Sequence, residues 1–226
     1  MPKTKKPNLP TLERRSYRFD VRAEKTEQGT AILTGRPVVY SSPTDIGGWF
    51  QEIIEPGALD GADLTDVRFL VNHDTSMIPL ARSRNNNENS TMQMTPDAEG
   101  LLLNRVALDT ENNAEARALY SAVQRGDISG MSFMFSVAEE TWENLESDYP
   151  TRHITKIASI VEVSAVTFPA YDDTEINARG GALESARTAL ESARRKVTRS
   201  DAPEGAADEL ALAKAKIMYA YNLKED

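Results

Sequence analysis

The sequence predicts an α+β, mainly β fold, a compact and mainly antiparallel barrel or sandwich with helical additions. Three observations predict it. Short segments in which apolar and polar residues alternate with period two recur over residues 16–168. One amphipathic helix interrupts them at about 109–126. Beyond Gly180-Gly181 the composition turns to Ala, Glu, Lys and Arg with helical spacing.

In chain order, residues 1–15 are rich in Lys, Arg and Pro without hydrophobic periodicity and read as a disordered basic arm, either a solvated tail or an electrostatic tether to an acidic partner. Tyr17, Phe19 and Val21 then share one side of a strand, with Arg18, Asp20 and Arg22 on the other. Gln28-Gly29 is a turn, and residues 31–35 open a second strand that leads to Val38-Val39-Tyr40. Ser41-Ser42-Pro43 and Gly47-Gly48 mark a loop, and 50–54 is extended. Residues 66–72 form a strand with Val67, Phe69 and Val71 on one face, which His73 continues. The Asn-rich run 85–90 is a hairpin tip or loop, and 101–108 is extended again. Asp109 or Thr110 caps the helix, Ala116, Leu119, Tyr120 and Val123 are its apolar stripe, and Gly126 ends it. Strands over 128–137 and 154–168 follow, the second closed by Pro169. The domain therefore spans 16–180. In the helical tail, 181–226, the stripes Leu183, Ala186, Leu190, Ala193 and Leu210, Ala213, Ile217, Ala220 are narrow and need a partner surface.

Composition narrows the function. A chain of 226 residues with 40% apolar content fills one core, and no apolar run approaches the roughly 20 residues of a membrane span. The basic start has no hydrophobic stretch behind it, so it is not a secretory signal. The absence of cysteine excludes a disulfide scaffold, a thiol nucleophile and a cysteine zinc site, and suits a reducing cytosol. A net charge of -9 argues against a dedicated nucleic-acid binder. Two histidines, His73 and His153, do not make a histidine-rich metal centre, so neither metal nor cofactor is expected.

Three segments carry chemistry. In 128–135, Met131, Phe133 and Phe135 fall on one strand face and Ser132, Met134 and Ser136 on the other, so Ser132 is held rigidly with its hydroxyl away from the aromatic layer. An ordinary polar-face serine fits that pattern equally. In 71–74, His73 stands where a strand gives way to a loop, and a histidine there supplies the base a serine hydroxyl needs, or a structural hydrogen bond. In 161–171, Glu162 is flanked by Ile160, Val161, Val163 and Val166, which places its carboxylate near the core and in need of a partner. A histidine ring nitrogen suits it, as does a salt bridge to Arg or Lys. His153 stands in a polar, more exposed stretch and ranks behind His73, and Asp74 is too close in sequence to orient its neighbour's ring.

Together, Asn72-His73-Asp74, Gly130-Met131-Ser132-Phe133 after a helix, and Glu162-Val163-Ser164 running into Phe168-Pro169-Ala170-Tyr171 resemble the prohead (capsid-maturation) serine protease family of tailed phages. The resemblance covers about 16–177. It implies kinship with the herpesvirus assemblins, hence a small antiparallel β-barrel surrounded by helices and a serine–histidine mechanism. Ser132 matches the nucleophile, His73 the base, and Glu162 is assigned as third member, with His153 open because the herpesvirus relatives use a second histidine there. The resemblance also implies the work: cutting the scaffold or scaffold-like region of the major capsid protein, and the enzyme itself, inside the immature capsid in the host cytoplasm. The tail 181–226 is then a recruiting or self-cleaved segment. A homo-oligomer is a further expectation, with no nucleic-acid or membrane partner. For the oxyanion the sequence offers the Gly130 backbone, Arg152 and Arg179 without choosing. A non-enzymatic assembly or scaffolding protein is the competing reading. A small-ester hydrolase lacks the Gly-x-Ser-x-Gly elbow.

Overall fold

The computed structural model describes residues 11–18, 21–27, 29–167 and 181–200. Expectations placed on residues 1–10, Phe19, Asp20, Gln28, 168–180 and the second tail stripe lie outside them. The described residues build two sheets and two helices. The larger sheet has seven strands: β1 (Glu13–Arg18), β4 (Thr44–Ile46), β5 (Phe50–Ile54), β6 (Asp66–Val71), β7 (Ala81–Arg84), β10 (Gly130–Glu143) and β11 (Thr151–Val166). Its main path runs β1-β10-β11-β5-β4, and β6, carrying β7, pairs with the other half of β11. The smaller sheet joins β2 (Arg22–Lys25), β3 (Ala31–Val39), β8 (Met92–Asp97) and β9 (Gly100–Leu108) in the order β2-β3-β9-β8.

The mainly β, α+β class therefore holds, and neither sheet closes on itself. The pairing is also not wholly antiparallel. β11 meets both β5 and β6 in parallel, Thr151 opposite Gln51 and Val163 opposite Phe69. The cause lies in the stretch between those strands, which runs along β11 instead of turning back. The Ile157 amide donates to the Ala58 carbonyl at 2.7 Å and the Asp63 amide to the Ala158 carbonyl at 2.9 Å.

One buried cluster draws Val38, Leu101, Leu103 and Val106 from the smaller sheet and Phe69, Phe133, Phe135 and Val163 from the larger. Each such side chain contributes about 1.5–3 kcal/mol on leaving water. Strand β9 starts hard against β3: a Cβ on Gly100 would stand 2.0 Å from the Val38 carbonyl oxygen, so only glycine fits there. Helix α1 (Ala114–Arg125) buries the expected Ala116, Leu119, Tyr120 and Val123 and ends at Gly126 with φ 78°. Its cap is Asn113, whose side-chain oxygen accepts from the Glu115 and Ala116 amides at 2.9 and 3.1 Å. Asp109 instead accepts the Asn112 amide at 3.0 Å, closing the turn before the helix. Helix α2 (Gly181–Ser200) buries Ala186, Leu190 and Ala193 of the first tail stripe. A division into two compact units falls within it, between Arg187 and Thr188. No helix among the described residues is long and apolar enough to cross a membrane.

Strand β1 begins at Glu13, inside the stretch read as an arm. Its charges are neutralised by partners far along the chain, which a scan for hydrophobic period does not register. Arg15 bonds Glu52 through Nε and, at 2.6 Å, through Nη2, and reaches Glu13 at 2.7 Å. Arg152 bonds Glu13 at 2.7 and 2.8 Å, Glu52 at 2.9 Å and Glu140 at 2.8 Å.

Candidate active site

The register of the larger sheet brings the polar residues together. β1, β10 and β11 align Ser16, Ser132 and Ser164, and Met134 lies opposite Glu162. Side chains two apart on a strand share a face, so Ser132, Ser164 and Glu162 project on the same side of the sheet. Phe133 and Phe135, on the other side, stack with ring centroids 4.7 Å apart and fix β10 against the core. The face that carries Ser132 is itself covered: Ser132, Met134 and Ser136 are all buried.

His73 arrives from β6 by a device that alternation does not foresee. Asn72 and His73 both adopt left-handed conformations, φ 51° and 58°. The strand therefore ends at Val71, and the ring does not continue the Val67, Phe69, Val71 face. Left-handed geometry costs a residue with a side chain about 1–2 kcal/mol and needs local compensation. Asn72 provides it by a reciprocal clamp: its amide nitrogen donates to Thr167 Oγ1 at 3.0 Å, and the Thr167 backbone amide donates to Asn72 Oδ1 at 2.9 Å. The Asn72 amide also donates to the Ala165 carbonyl at 2.9 Å, extending the β6–β11 ladder by one bond.

The turned-back ring lies between the other two candidates. His73 Nε2 is 2.6 Å from Ser132 Oγ, and His73 Nδ1 is hydrogen bonded to Glu162 Oε1. Glu162 is 3% exposed and accepts a second bond on Oε2, from Ser164 Oγ at 2.7 Å. Ser164 in turn accepts the His73 backbone amide at 3.1 Å. One buried hydroxyl thus holds both the carboxylate and the backbone of the histidine. The buried carboxylate is satisfied on both oxygens, as a group removed from water requires. Such a chain can pass the serine proton to the ring while the carboxylate stabilises the imidazolium formed.

Sequence reasoning singled out Ser132, His73 and Glu162, and these three meet. It gave no role to Ser164, although its offset of two from Glu162 places it on the same strand face. Asn72 and Thr167 left no periodic signal. His153 stands near the other end of β11, paired with Thr141, with Nδ1 2.6 Å from Glu55 Oε1. Nine residues of strand, about 30 Å, separate it from Glu162. Asp74 bonds Ser76 instead of the neighbouring ring. Arg152 is committed to carboxylates and Gly130 opens β10, while Arg179 lies outside the described residues.

Ser132 Oγ has one more partner: it donates to the Arg15 carbonyl oxygen of β1 at 2.7 Å, and Ser132 is 0% exposed. The charges beside that strand are held firmly. Burial pushes the Glu13 carboxyl up, but the Arg152 and Arg15 guanidiniums more than reverse this and leave it at about 2. Burial alone would lower the guanidiniums of Arg15 and Arg152; the carboxylates of Glu52 and Glu13 around them raise both above the ordinary arginine value.

A family model described as caudovirus prohead serine protease matches residues 17–188. A curated relative, the "Prohead protease" of Enterobacteria phage HK97, is 32% identical over 151 residues, which are 65% of this chain and 59% of that protein. The chain thus spans less than two thirds of the length of that relative. No solved structure matches.

Proposed function

The chain belongs to the caudovirus prohead serine protease family, and on that premise we propose that it is a serine endopeptidase of capsid maturation. Its substrate is the scaffold or scaffold-like region of the major capsid protein, and the enzyme itself, inside the prohead in the host cytoplasm. The observation that supports this reading best is the unbroken chain from Ser132 Oγ through the His73 ring to Glu162. Ser132 attacks a peptide carbonyl while His73 Nε2 takes its proton. Glu162 keeps the remaining ring proton on Nδ1 and stabilises the imidazolium. The ring then protonates the leaving amine, and water, deprotonated by the same nitrogen, releases the acyl group. Kinship with a herpesvirus-type barrel and a homo-oligomeric working form belong to the same proposal.

The competing reading, a non-enzymatic assembly protein, draws on the complete burial of Ser132. Co-expression with the cognate capsid protein separates the two. Wild type is expected to shorten the capsid protein in assembled particles, read by mass spectrometry, and Ser132→Ala to leave it full length. Trimming that persists in the variant removes Ser132 from the role. If neither trims, and a fluorophosphonate leaves Ser132 unlabelled, the assembly reading replaces the protease.

A further inference from the structure

We propose that β1 occupies the place of a peptide substrate, with Arg15 as the residue on the acyl side of the bond to be cut and Glu52 as the acid that reads it. The enzyme then cuts extended segments after arginine, and more slowly after lysine. The inference rests on the reading of Ser132 as nucleophile and adds a substrate class to it.

Strand β1 is an edge strand that pairs with β10, the strand of Ser132. A peptide that adds a strand to a sheet edge meets it in that way. Among the described residues the carbonyl hydrogen bonded to Ser132 is that of Arg15, and β1 fills the edge of β10 there, so a substrate must take its position. The serine hydroxyl has one proton and two acceptors in reach, His73 Nε2 and Arg15 O. Donation to the carbonyl holds the site at rest, and donation to the ring starts the reaction.

Arg15 lies opposite Phe133, so its side chain leaves the sheet on the face away from Ser132, and its guanidinium sits 5.7 Å from the Phe135 ring centroid. Attack from one face and recognition on the other are thus compatible in a single residue. Glu52 is 1% exposed and grips Arg15 on Nε and Nη2 together. Withdrawing β1 takes away one carboxylate and one guanidinium, and leaves Glu52 and Glu140 facing Arg152 alone. A buried carboxylate in excess demands a cation. Its two-point grip matches the planar fork of arginine better than the single ammonium of lysine.

The step balances as ordinary hydrolysis. Ser132 Oγ bonds the carbonyl carbon of the basic residue, its proton passes to His73 and on to the leaving amine as the C–N bond breaks, and water then cleaves the ester to the free acid.

The test is digestion of a peptide library by the full chain, with cut sites read by mass spectrometry and fluorophosphonate labelling of Ser132 in parallel. Cuts after Arg and Lys are expected at least tenfold above all other residues, Arg leading. Glu52→Gln is expected to erase that preference at least tenfold while Ser132 still labels. Ser132-dependent cuts after acidic or apolar residues, or an unchanged preference in Glu52→Gln, overturn the pocket and leave the protease reading standing. No Ser132-dependent cut and no labelling removes both. If Glu52→Gln fails to fold by circular dichroism, the wild-type profile decides alone.

Discussion

Two polar regions sit on opposite faces of the larger sheet and solve burial differently. On one face Ser132, His73, Glu162 and Ser164 form a chain of hydrogen bonds through a neutral hydroxyl and an imidazole. On the other, Glu13, Arg15, Glu52, Arg152 and Glu140 form a lattice of full charges. Within the lattice Glu13 is held at about 2 and both guanidiniums are raised, so these three groups keep their charge across the physiological range. The chain is built around an imidazole, a side chain that can take up a proton and give it back. A buried network of fixed charges serves position, whereas one built around imidazole can relocate a proton.

Substitutions should separate the two. Glu162→Gln keeps the shape of the carboxyl but offers the ring the wrong partner; peptide cleavage should fall by about 10³–10⁴, with the melting temperature barely changed. An equal loss of melting temperature would place Glu162 with the fixed charges instead. Arg152→Met should do the reverse, costing about 3–5 kcal/mol in urea denaturation because three carboxylates lose a shared cation. Ser164→Ala removes the bridge between carboxylate and histidine backbone. About 1–3 kcal/mol is expected, a fall in kcat of roughly 5- to 150-fold with KM little changed. A change in KM alone would deny the bridge its orienting part.

Acid gives the smallest and most graded contrast. The Glu13 carboxyl is depressed in the folded chain from 4.5 to about 2, so its contribution to stability is full above about 4.5 and is lost as pH falls toward 2. Urea midpoints measured across that window should decline in wild type. The decline should flatten in Arg152→Met, which lacks the first cation that bonds Glu13.

Much of this was legible in the residues, for physical reasons that vary by region. Glu162 betrayed itself because a carboxylate among Ile160, Val161 and Val163 has few ways to avoid burial. Ser132 was placed on the correct face because Met131, Phe133 and Phe135 fix the phase of the strand. His73 was singled out, but its direction was not, since two left-handed residues reset the alternation at Asn72. Helix α1 was found by its stripe and misjudged at its cap, because Asp109, Thr110 and Asn113 are all capable oxygens and only the three-dimensional turn selects one. The charged start of β1 resembled a solvated tail because its partners, Glu52 and Arg152, are dozens of residues or more away. Parallel pairing along β11 left no local trace.

The alignment of Ser132 with Ser164 carries a constraint on how the gene can change length. The loop at 144–150 between β10 and β11 can gain or lose residues without disturbing either serine. One residue deleted just ahead of Ser132 or just ahead of Glu162 would turn the side chains that follow it to the opposite face, sending that residue toward the aromatic layer. Insertions and deletions should therefore accumulate at the hairpin tip and be purged from the two short stretches where the strands meet.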